Sequence, residues 1–185
     1  RVLSELWLHT NNSCNLACSH CLVSSGPDED RGLPTDRLLD VLAQARELGA
    51  RRFFFTGGEP FLRKDLFALI DAVLSDPKAE LAILTNGVLF TPARLQELAR
   101  REVGRLRIQV SLDGSTPAIN DPLRGAGSHA KIVEGIAAAV RAGLSVTVST
   151  VITETNAADV PEVTSLVGAL GGAAHHLLWL HKRGR

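Results

Sequence analysis

Apolar and polar residues divide the chain into short apolar runs and longer segments in which apolar residues recur every three or four positions. The short runs are rich in β-branched and aromatic residues and predict strands at 2–9, 51–56, 80–85, 105–112, 144–152 and 175–181. The longer segments predict amphipathic helices at 35–48, 65–75, 91–101, 128–142 and 160–170. Thr35, Thr91 and Ser128 stand where helix N-caps are expected.

Alternation of strands and helices predicts a parallel sheet, because strands joined by a helix run in the same direction through right-handed connections. Such units build either a doubly wound sheet or a barrel, and the periodicity does not choose between the two. In both architectures, the loops at the carboxyl ends of the strands carry the functional residues. Every unusual motif of this chain follows the end of a predicted strand.

The fourth predicted strand is polar on one face. Leu106, Ile108, Val110 and Leu112 lie on one side, and Arg107, Gln109 and Ser111 lie on the other. A buried parallel strand is normally apolar on both faces. The pattern therefore predicts a polar, functional interior next to this strand, the alternative being a strand at an exposed edge.

The charges of the chain balance, with 20 Lys and Arg against 20 Asp and Glu in 185 residues. No global field therefore favours nucleic acid or an acidic membrane as a partner. No stretch reaches the roughly 20 apolar residues of a membrane span, and no signal peptide is recognisable. The sequence opens on Arg1 and contains no methionine, so we interpret residues 1–185 as one core domain taken from a longer protein.

All three cysteines lie within eight residues after the first strand, with the spacing Cys14-x3-Cys18-x2-Cys21. An odd number of clustered thiols makes a poor disulfide set, whereas soft thiolates select zinc or iron–sulfur clusters. Both centres have four ligand positions. The cysteines therefore either recruit a histidine, His9 or His20 being nearest, or leave one position open. Spacing alone leaves a cluster, a zinc site and a chance grouping as alternatives. Clustered cysteines also predict a reducing, cytoplasmic location.

The cysteine motif after a first strand resembles the signature of the radical S-adenosylmethionine (radical SAM) enzymes. The resemblance implies that the three cysteines hold three irons of a [4Fe–4S] cluster, and that the amino and carboxylate groups of SAM chelate the fourth iron. His20 stands where the family usually has an aromatic residue, and we assign it to the cofactor site. The implied fold is a partial (β/α)6 TIM-like barrel, open on one side, with the final helix missing.

Two further strand ends carry candidate cofactor-binding residues. The second strand ends in Thr56-Gly57-Gly58-Glu59-Pro60, where glycines allow a close backbone approach and an exposed carboxylate accepts from an ammonium group. A tight turn with a solvated glutamate is the alternative. The segment resembles the family's Gly-Gly-Glu-Pro motif, which implies that Gly57, Gly58, Glu59 and Pro60 hold the amino group of SAM. The third strand ends in Thr85-Asn86-Gly87, either an Asn-Gly turn or, by resemblance, a contact from Asn86 to ribose or substrate.

The segment Ser111-Leu112-Asp113-Gly114 after the fourth strand resembles the maturase branch of the family. The resemblance implies that Ser111 and Arg124 bind the SAM carboxylate, for which a guanidinium fork is well suited, and Asp113 is assigned to the same site. In the fifth strand we assign Thr150 to the ribose, although the sequence leaves open which face points inward. Leu180 is assigned to an apolar wall beside the adenine.

The function implied by the resemblance is reductive cleavage of SAM to a 5′-deoxyadenosyl radical that abstracts hydrogen from a peptide or cofactor precursor. The cofactors would be a [4Fe–4S] cluster and SAM, and the electron donor a flavodoxin or ferredoxin. No general acid or base is needed for this cleavage. Two other classes stay open, namely a zinc-stabilised α/β binding module without catalysis and an electron-transfer cluster protein. The latter needs four cysteine ligands, and the chain contains three.

Overall fold

Six parallel strands form one sheet whose spatial order follows the order of the chain. The computed structural model describes residues 3–30, 32–101, 104–181 and 184. The strands are β1 (Glu5–His9), β2 (Arg52–Thr56), β3 (Glu80–Thr85), β4 (Leu106–Ser111), β5 (Ser145–Ile152) and β6 (Ala174–Trp179). The helices in these ranges are α1 (Thr35–Glu47), α2 (Leu66–Leu74), α3 (Pro92–Arg101), α4 (Pro117–Arg124), α5 (Ser128–Arg141) and α6 (Val160–Ala169). β1 and β6 form the two edges, so the sheet is not closed. The predicted α/β alternation is confirmed, although residue 2 of the first predicted strand lies outside the described residues.

One face of the sheet packs against helices and forms the core. Phe53 and Phe55 of β2 and Ile83 of β3 are at most 1% exposed. Leu69 and Ile70 of α2 pack into the same cluster and are fully buried. Burying a side chain of this size contributes about 1.5–3 kcal/mol. The apolar side chains on one face of the strands thus stabilise the fold. The other face of the sheet is available for a functional site.

The polar face of β4 points into the interior of the open barrel. β4 pairs with β3 on one side and β5 on the other, so it is a central strand and not an edge. Gln109 and Ser111 line a cavity of about 690 Å³. Arg107, at the amino end of the strand, lies 3.6 Å from the Glu80 carboxylate. The prediction of a polar interior is therefore confirmed for the carboxyl half of β4, and an exposed ion pair occupies the other half.

α4 is a helix that the sequence analysis did not predict. It has eight residues and contains Pro122, and a proline inside a short pattern argues against a helix because it lacks an N–H donor. The helix is fixed by polar contacts: Asn120 is fully buried, and its side-chain amide donates to the Ser128 hydroxyl over 2.9 Å. Arg124 is therefore the last residue of a helix, directly before Gly125.

Two of the three predicted helix caps are wrong. α1 has Pro34 at its N-cap, and the Thr35 hydroxyl instead donates to Asp65 over 2.6 Å. α5 has Gly127 at its N-cap, in the left-handed region at φ 72°. The cap of α3 is confirmed, since the backbone N–H of Arg94 donates to the Thr91 hydroxyl. None of the described helices is long and apolar enough to cross a membrane.

Candidate active site

A cavity of about 690 Å³ opens at the carboxyl ends of the strands. Every strand contributes to its lining, and so does the loop of residues 10–33 that follows β1 and carries the three cysteines, hereafter the cysteine loop. The apolar part of the wall includes Leu84 of β3, Val151 of β5 and Leu180, which directly follows β6. Parallel α/β proteins bind their ligands at this end of the sheet. The cavity is therefore the candidate active site.

The glycines after β2 make room for the cysteine loop. A Cβ atom on Gly58 would lie 2.2 Å from the backbone oxygen of Ser13, and one on Gly57 would lie 2.4 Å from that of Asn11. Gly57 also has φ 138°, a conformation that L side chains rarely adopt. The Gly58 N–H donates to the Asn11 carbonyl over 2.7 Å. Both glycines line the cavity as well. The close approach that they permit here is to the cysteine loop, and their predicted contact with the SAM amino group stays a prediction.

Arg63 forms hydrogen bonds to both ends of the cysteine loop, and the sequence analysis missed it. Its side chain is 8% exposed and pairs with Asp65 at 2.6 Å. The same guanidinium donates to the backbone oxygens of Thr10 (2.8 Å) and Leu33 (3.0 Å), at the two ends of the loop. Burial alone would raise the pKa of Asp65, but hydrogen bonds from Arg63 and Thr35 outweigh it and lower that pKa. No sequence motif marks this arginine, because its partners are backbone atoms.

All three cysteines lie on the wall of the cavity. The Leu16 N–H donates to the Cys14 sulfur over 3.4 Å, and the Ser25 N–H donates to the Cys21 sulfur over 3.2 Å. Burial raises the pKa of the Cys14 thiol to about 11, and burial also raises the pKa of Cys18. Thiolates at these positions therefore need a positive partner, which a bound metal supplies.

The donor set fits an iron–sulfur cluster. Three thiols on one loop suit a cluster in which each cysteine binds a different iron. Within the described ranges, no three His, Cys, Asp or Glu side chains converge on a single ion position. His20, one of two candidate fourth ligands for zinc, presents its Nε2 atom to the Asp113 carboxylate at 3.0 Å. The cysteine loop thus has the chemistry and spacing of a three-cysteine cluster site.

Glu59 is fully buried and does not line the cavity, so the expectation of an exposed carboxylate is wrong. One carboxylate oxygen accepts from the Phe61 N–H (3.0 Å) and the Thr85 hydroxyl (2.8 Å), and the other accepts from the Asn86 N–H (2.8 Å). Burial raises the pKa of Glu59, and these donors oppose that rise. Pro60 is also buried and begins a short 3₁₀ turn. Glu59 therefore holds the turn after β3 instead of facing the cavity.

Asn86 lies in the cavity wall between the turn and the cysteine loop. Its side-chain amide nitrogen donates to the Asn15 side chain over 2.9 Å and contacts the Cys14 sulfur at 3.8 Å. Its side-chain oxygen accepts from the Val88 N–H over 3.0 Å, which fixes the orientation of the amide. Asn86 thus forms the predicted turn and also contacts Cys14, a predicted cluster ligand. Its predicted contact with ribose or substrate stays a prediction.

Asp113 stands behind the cavity wall and not in it. It is fully buried, and one carboxylate oxygen lies 2.6 Å from Arg124 Nε and 3.0 Å from His20 Nε2. Burial would raise the pKa of Asp113, but Arg124 and His20 outweigh it and lower that pKa. For Arg124, burial acts to lower the pKa, and the charges of Asp113 and Cys18 outweigh it and raise that pKa. Ser111, Arg124 and His20 do line the cavity, so the structure brings three of the predicted residues together and places the fourth behind them.

Thr150 points away from the cavity. It is fully buried, its hydroxyl donates to the Leu112 carbonyl over 2.5 Å, and it contacts His175 Nε2 at 2.8 Å. Val151, the next residue of β5, lines the cavity instead. The assignment of Thr150 to a cavity face is therefore wrong by one position, which in a strand reverses the side. Leu180 lines the cavity as predicted, and its contact with an adenine stays a prediction.

Comparison with known proteins agrees with this geometry. The sequence model described as the Radical SAM superfamily matches residues 8–167. Mycofactocin maturase MftC of Mycobacterium tuberculosis is 34% identical over 160 residues, which are 86% of this chain and 40% of the relative. AdoMet-dependent heme synthase of Nitratidesulfovibrio vulgaris is 30% identical over 175 residues, which are 94% of this chain and 47% of the relative. The chain thus spans less than half the length of these two relatives.

Solved structures share the fold. The crystal structure of Streptococcus suis SuiB bound to S-adenosylmethionine has a TM-score of 0.84 and 20% sequence identity, covering 98% of this chain and 41% of that one. The structure of SuiB bound to the precursor peptide SuiA has a TM-score of 0.85 and 19% identity, covering 98% of this chain and 40% of that one. The predicted open barrel of parallel strands is therefore confirmed.

Proposed function

Because this chain belongs to the radical SAM superfamily, we propose that it is the core of a maturase that cleaves SAM reductively and modifies a peptide. One observation carries the proposal: the three cysteines, Ser111 and Arg124 line a single cavity at the carboxyl ends of the strands. A peptide substrate is proposed because the relatives include a mycofactocin maturase, and a fold neighbour was solved with a precursor peptide. A cofactor precursor is the alternative, since a heme synthase is also among the relatives.

The proposed roles follow from the chemistry of the side chains. Cys14, Cys18 and Cys21 would hold the [4Fe–4S] cluster, and Ser111 and Arg124 would hold the SAM carboxylate. The chemistry these groups supply when bound is one-electron cleavage of SAM to methionine and a 5′-deoxyadenosyl radical, which abstracts hydrogen from the substrate. The apolar wall would exclude water from this reaction. The cytoplasmic location and an electron donor such as flavodoxin or ferredoxin are part of the same proposal.

The test of the proposed function is anaerobic reconstitution with iron and sulfide. We expect about four irons per chain, as a [4Fe–4S] cluster requires, and a reduced-state EPR signal that shifts when SAM is added. Reduction by dithionite in the presence of SAM should release 5′-deoxyadenosine. A colourless protein with one tightly bound zinc and no response to SAM would overturn the proposal and establish the zinc-stabilised binding module.

Asn86 is predicted to tune the reduction potential of the cluster. Hydrogen bonds to the cysteine sulfurs help to set that potential, and the Asn86 amide contacts the Cys14 sulfur at 3.8 Å. A hydrogen-bond donor stabilises the reduced cluster most, because that cluster carries more negative charge. Asn86→Ala removes the donor and should therefore destabilise the reduced cluster. If the bond contributes roughly 0.5–1.5 kcal/mol, the potential should fall by about 20–60 mV, measured by EPR-monitored redox titration. In the control, Asn15→Ala, the amide stays in place and a smaller shift is expected. An unchanged potential in Asn86→Ala would contradict the assignment.

A further inference from the structure

The buried carboxylate of Asp113 connects the cysteine loop to Arg124. Its Oδ2 atom lies 3.0 Å from His20 Nε2, in the loop, and 2.6 Å from Arg124 Nε, at the end of α4. The side chains of His20 and Arg124 are 10% and 8% exposed, and that of Asp113 is 0% exposed. An isolated carboxylate would be very unfavourable in such a place. Asp113 therefore requires these two partners, and it fixes the distance between them.

The rest of the Asp113 residue is held just as firmly. Its Oδ1 atom accepts from the Val151 N–H over 2.8 Å, at the end of β5. Its backbone N–H donates to the Asn120 side chain over 3.0 Å, and its backbone oxygen accepts from the Asn156 side chain over 2.9 Å. Asp113 thus cannot shift without disturbing β5, α4 and the segment before α6. A residue fixed on three sides can hold the side chains of His20 and Arg124 in place.

A second contact joins the same two parts of the molecule. The backbone N–H of Ser19 donates to the Leu123 carbonyl over 2.9 Å, so the cysteine loop and α4 also touch directly beside the His20–Arg124 pair. The sequence analysis singled out His20 because an aromatic residue is usual at its position. A phenyl ring has no nitrogen to offer a buried carboxylate. The histidine is thus explained by Asp113.

We propose that His20 and Asp113 are positioning residues that hold the cysteine loop and Arg124 in one fixed relation for SAM binding. This inference rests on the proposed function, in which one end of SAM binds at the cluster and its carboxylate binds at Arg124. A ligand held at two places binds best when the distance between these places is set beforehand. Neither His20 nor Asp113 needs to touch the reacting atoms for this role.

The test replaces His20 by leucine and by glutamine, in protein that has been reconstituted with the cluster. His20→Leu removes the nitrogen that faces Asp113, and we expect its dissociation constant for SAM to rise about tenfold, with iron content at the wild-type value. His20→Gln keeps a nitrogen donor near the position of Nε2 and should bind SAM within about twofold of wild type. Equilibrium dialysis with labelled SAM gives these constants without relying on turnover.

One control and two further variants make the result specific. His176→Leu changes an exposed histidine outside the cavity lining and should bind SAM as wild type does. When Arg124 is already replaced by lysine, adding His20→Leu should raise the dissociation constant for SAM less than about threefold, because the two residues act as one unit. Asp113→Asn should weaken SAM binding in the same way, provided that it folds, and His20→Leu decides the matter if it does not.

Each contrary outcome overturns a different statement. Wild-type SAM affinity in His20→Leu would overturn the positioning role, and so would a glutamine variant as weak as the leucine variant. Loss of iron from His20→Leu would show that the histidine serves cluster assembly instead. Failure of the wild-type protein itself to bind a cluster and SAM would overturn the proposed function, and this inference with it.

Discussion

Replacing any one of Cys14, Cys18 and Cys21 with serine is expected to abolish cluster binding and SAM cleavage. The chain contains three cysteines, so no other thiol can replace a lost ligand. A serine hydroxyl is a harder and much weaker ligand for iron than a thiolate. Iron content after anaerobic reconstitution should fall from about four per chain to near zero, and release of 5′-deoxyadenosine should become undetectable. Metal analysis and chromatography of the products measure both effects.

The matched control for the cysteine variants is Ser19→Ala, in the same loop. The Ser19 hydroxyl makes one long hydrogen bond of 3.4 Å to the Leu123 carbonyl, so its loss should leave iron content and cleavage unchanged. Full iron content in any one cysteine variant would contradict the assignment of that cysteine. Zinc retained in all three variants would point to ligands other than the cysteines.

The strands, the cysteine loop and the polar face of β4 could be predicted, because each is determined by the residues of one short segment. The parallel strands follow from apolar runs separated by helical periods, and the observed bounds differ from the predicted ones by a few residues. The cysteine loop was found from spacing alone, since three thiols in eight residues have few structural uses. The polar face of β4 was found from alternation. Each of these signals lies within one short segment.

Side-chain direction at the strand ends could not be predicted in the same way. A residue's place after a strand tells which end of the sheet it occupies, but the chain turns there and the two-residue period no longer applies. Glu59 and Asp113 both follow a strand end closely, and both turn inward to accept backbone N–H donors from neighbouring segments. Thr150 and Val151 differ by one position and face opposite sides. These orientations depend on partners far away in the sequence.

The sequence analysis missed helix α4 and the contacts of Arg63 because both depend on tertiary contacts. α4 is stabilised by its buried Asn120 and by Asp121, whose carboxylate accepts from the N–H groups of Gly127 and His129. Such contacts outweigh the unfavourable Pro122, and intrinsic propensity is a weak guide where tertiary contacts decide. Arg63 binds backbone oxygens on either side of the cysteine loop. No residue pattern along the chain encodes contacts of that kind.

Gly58→Ala is expected to destabilise the protein and to displace the cysteine loop. The added Cβ would lie 2.2 Å from the oxygen and 2.6 Å from the carbonyl carbon of Ser13, both backbone atoms that cannot rotate away. The loop would have to move, and the 2.9 Å hydrogen bond from the Glu59 N–H to the same Ser13 oxygen would be lost. Overpacking and the lost bond together should cost about 2–4 kcal/mol of the free energy of unfolding. Denaturant unfolding measures this cost, and reconstitution should give reduced iron content.

Gly168→Ala is the same chemical change with the opposite expected sign. Gly168 lies inside α6, and a Cβ there would meet no atom within 4 Å. Alanine in a helix is more favourable than glycine by up to about 1 kcal/mol, so this variant should be slightly stabilised and bind iron as wild type does. The contrast separates the loss of backbone freedom from the clash, because both variants lose a glycine. If Gly58→Ala were as stable as Gly168→Ala and kept its iron, the close contact between Gly58 and the cysteine loop would not be required for holding the cysteines.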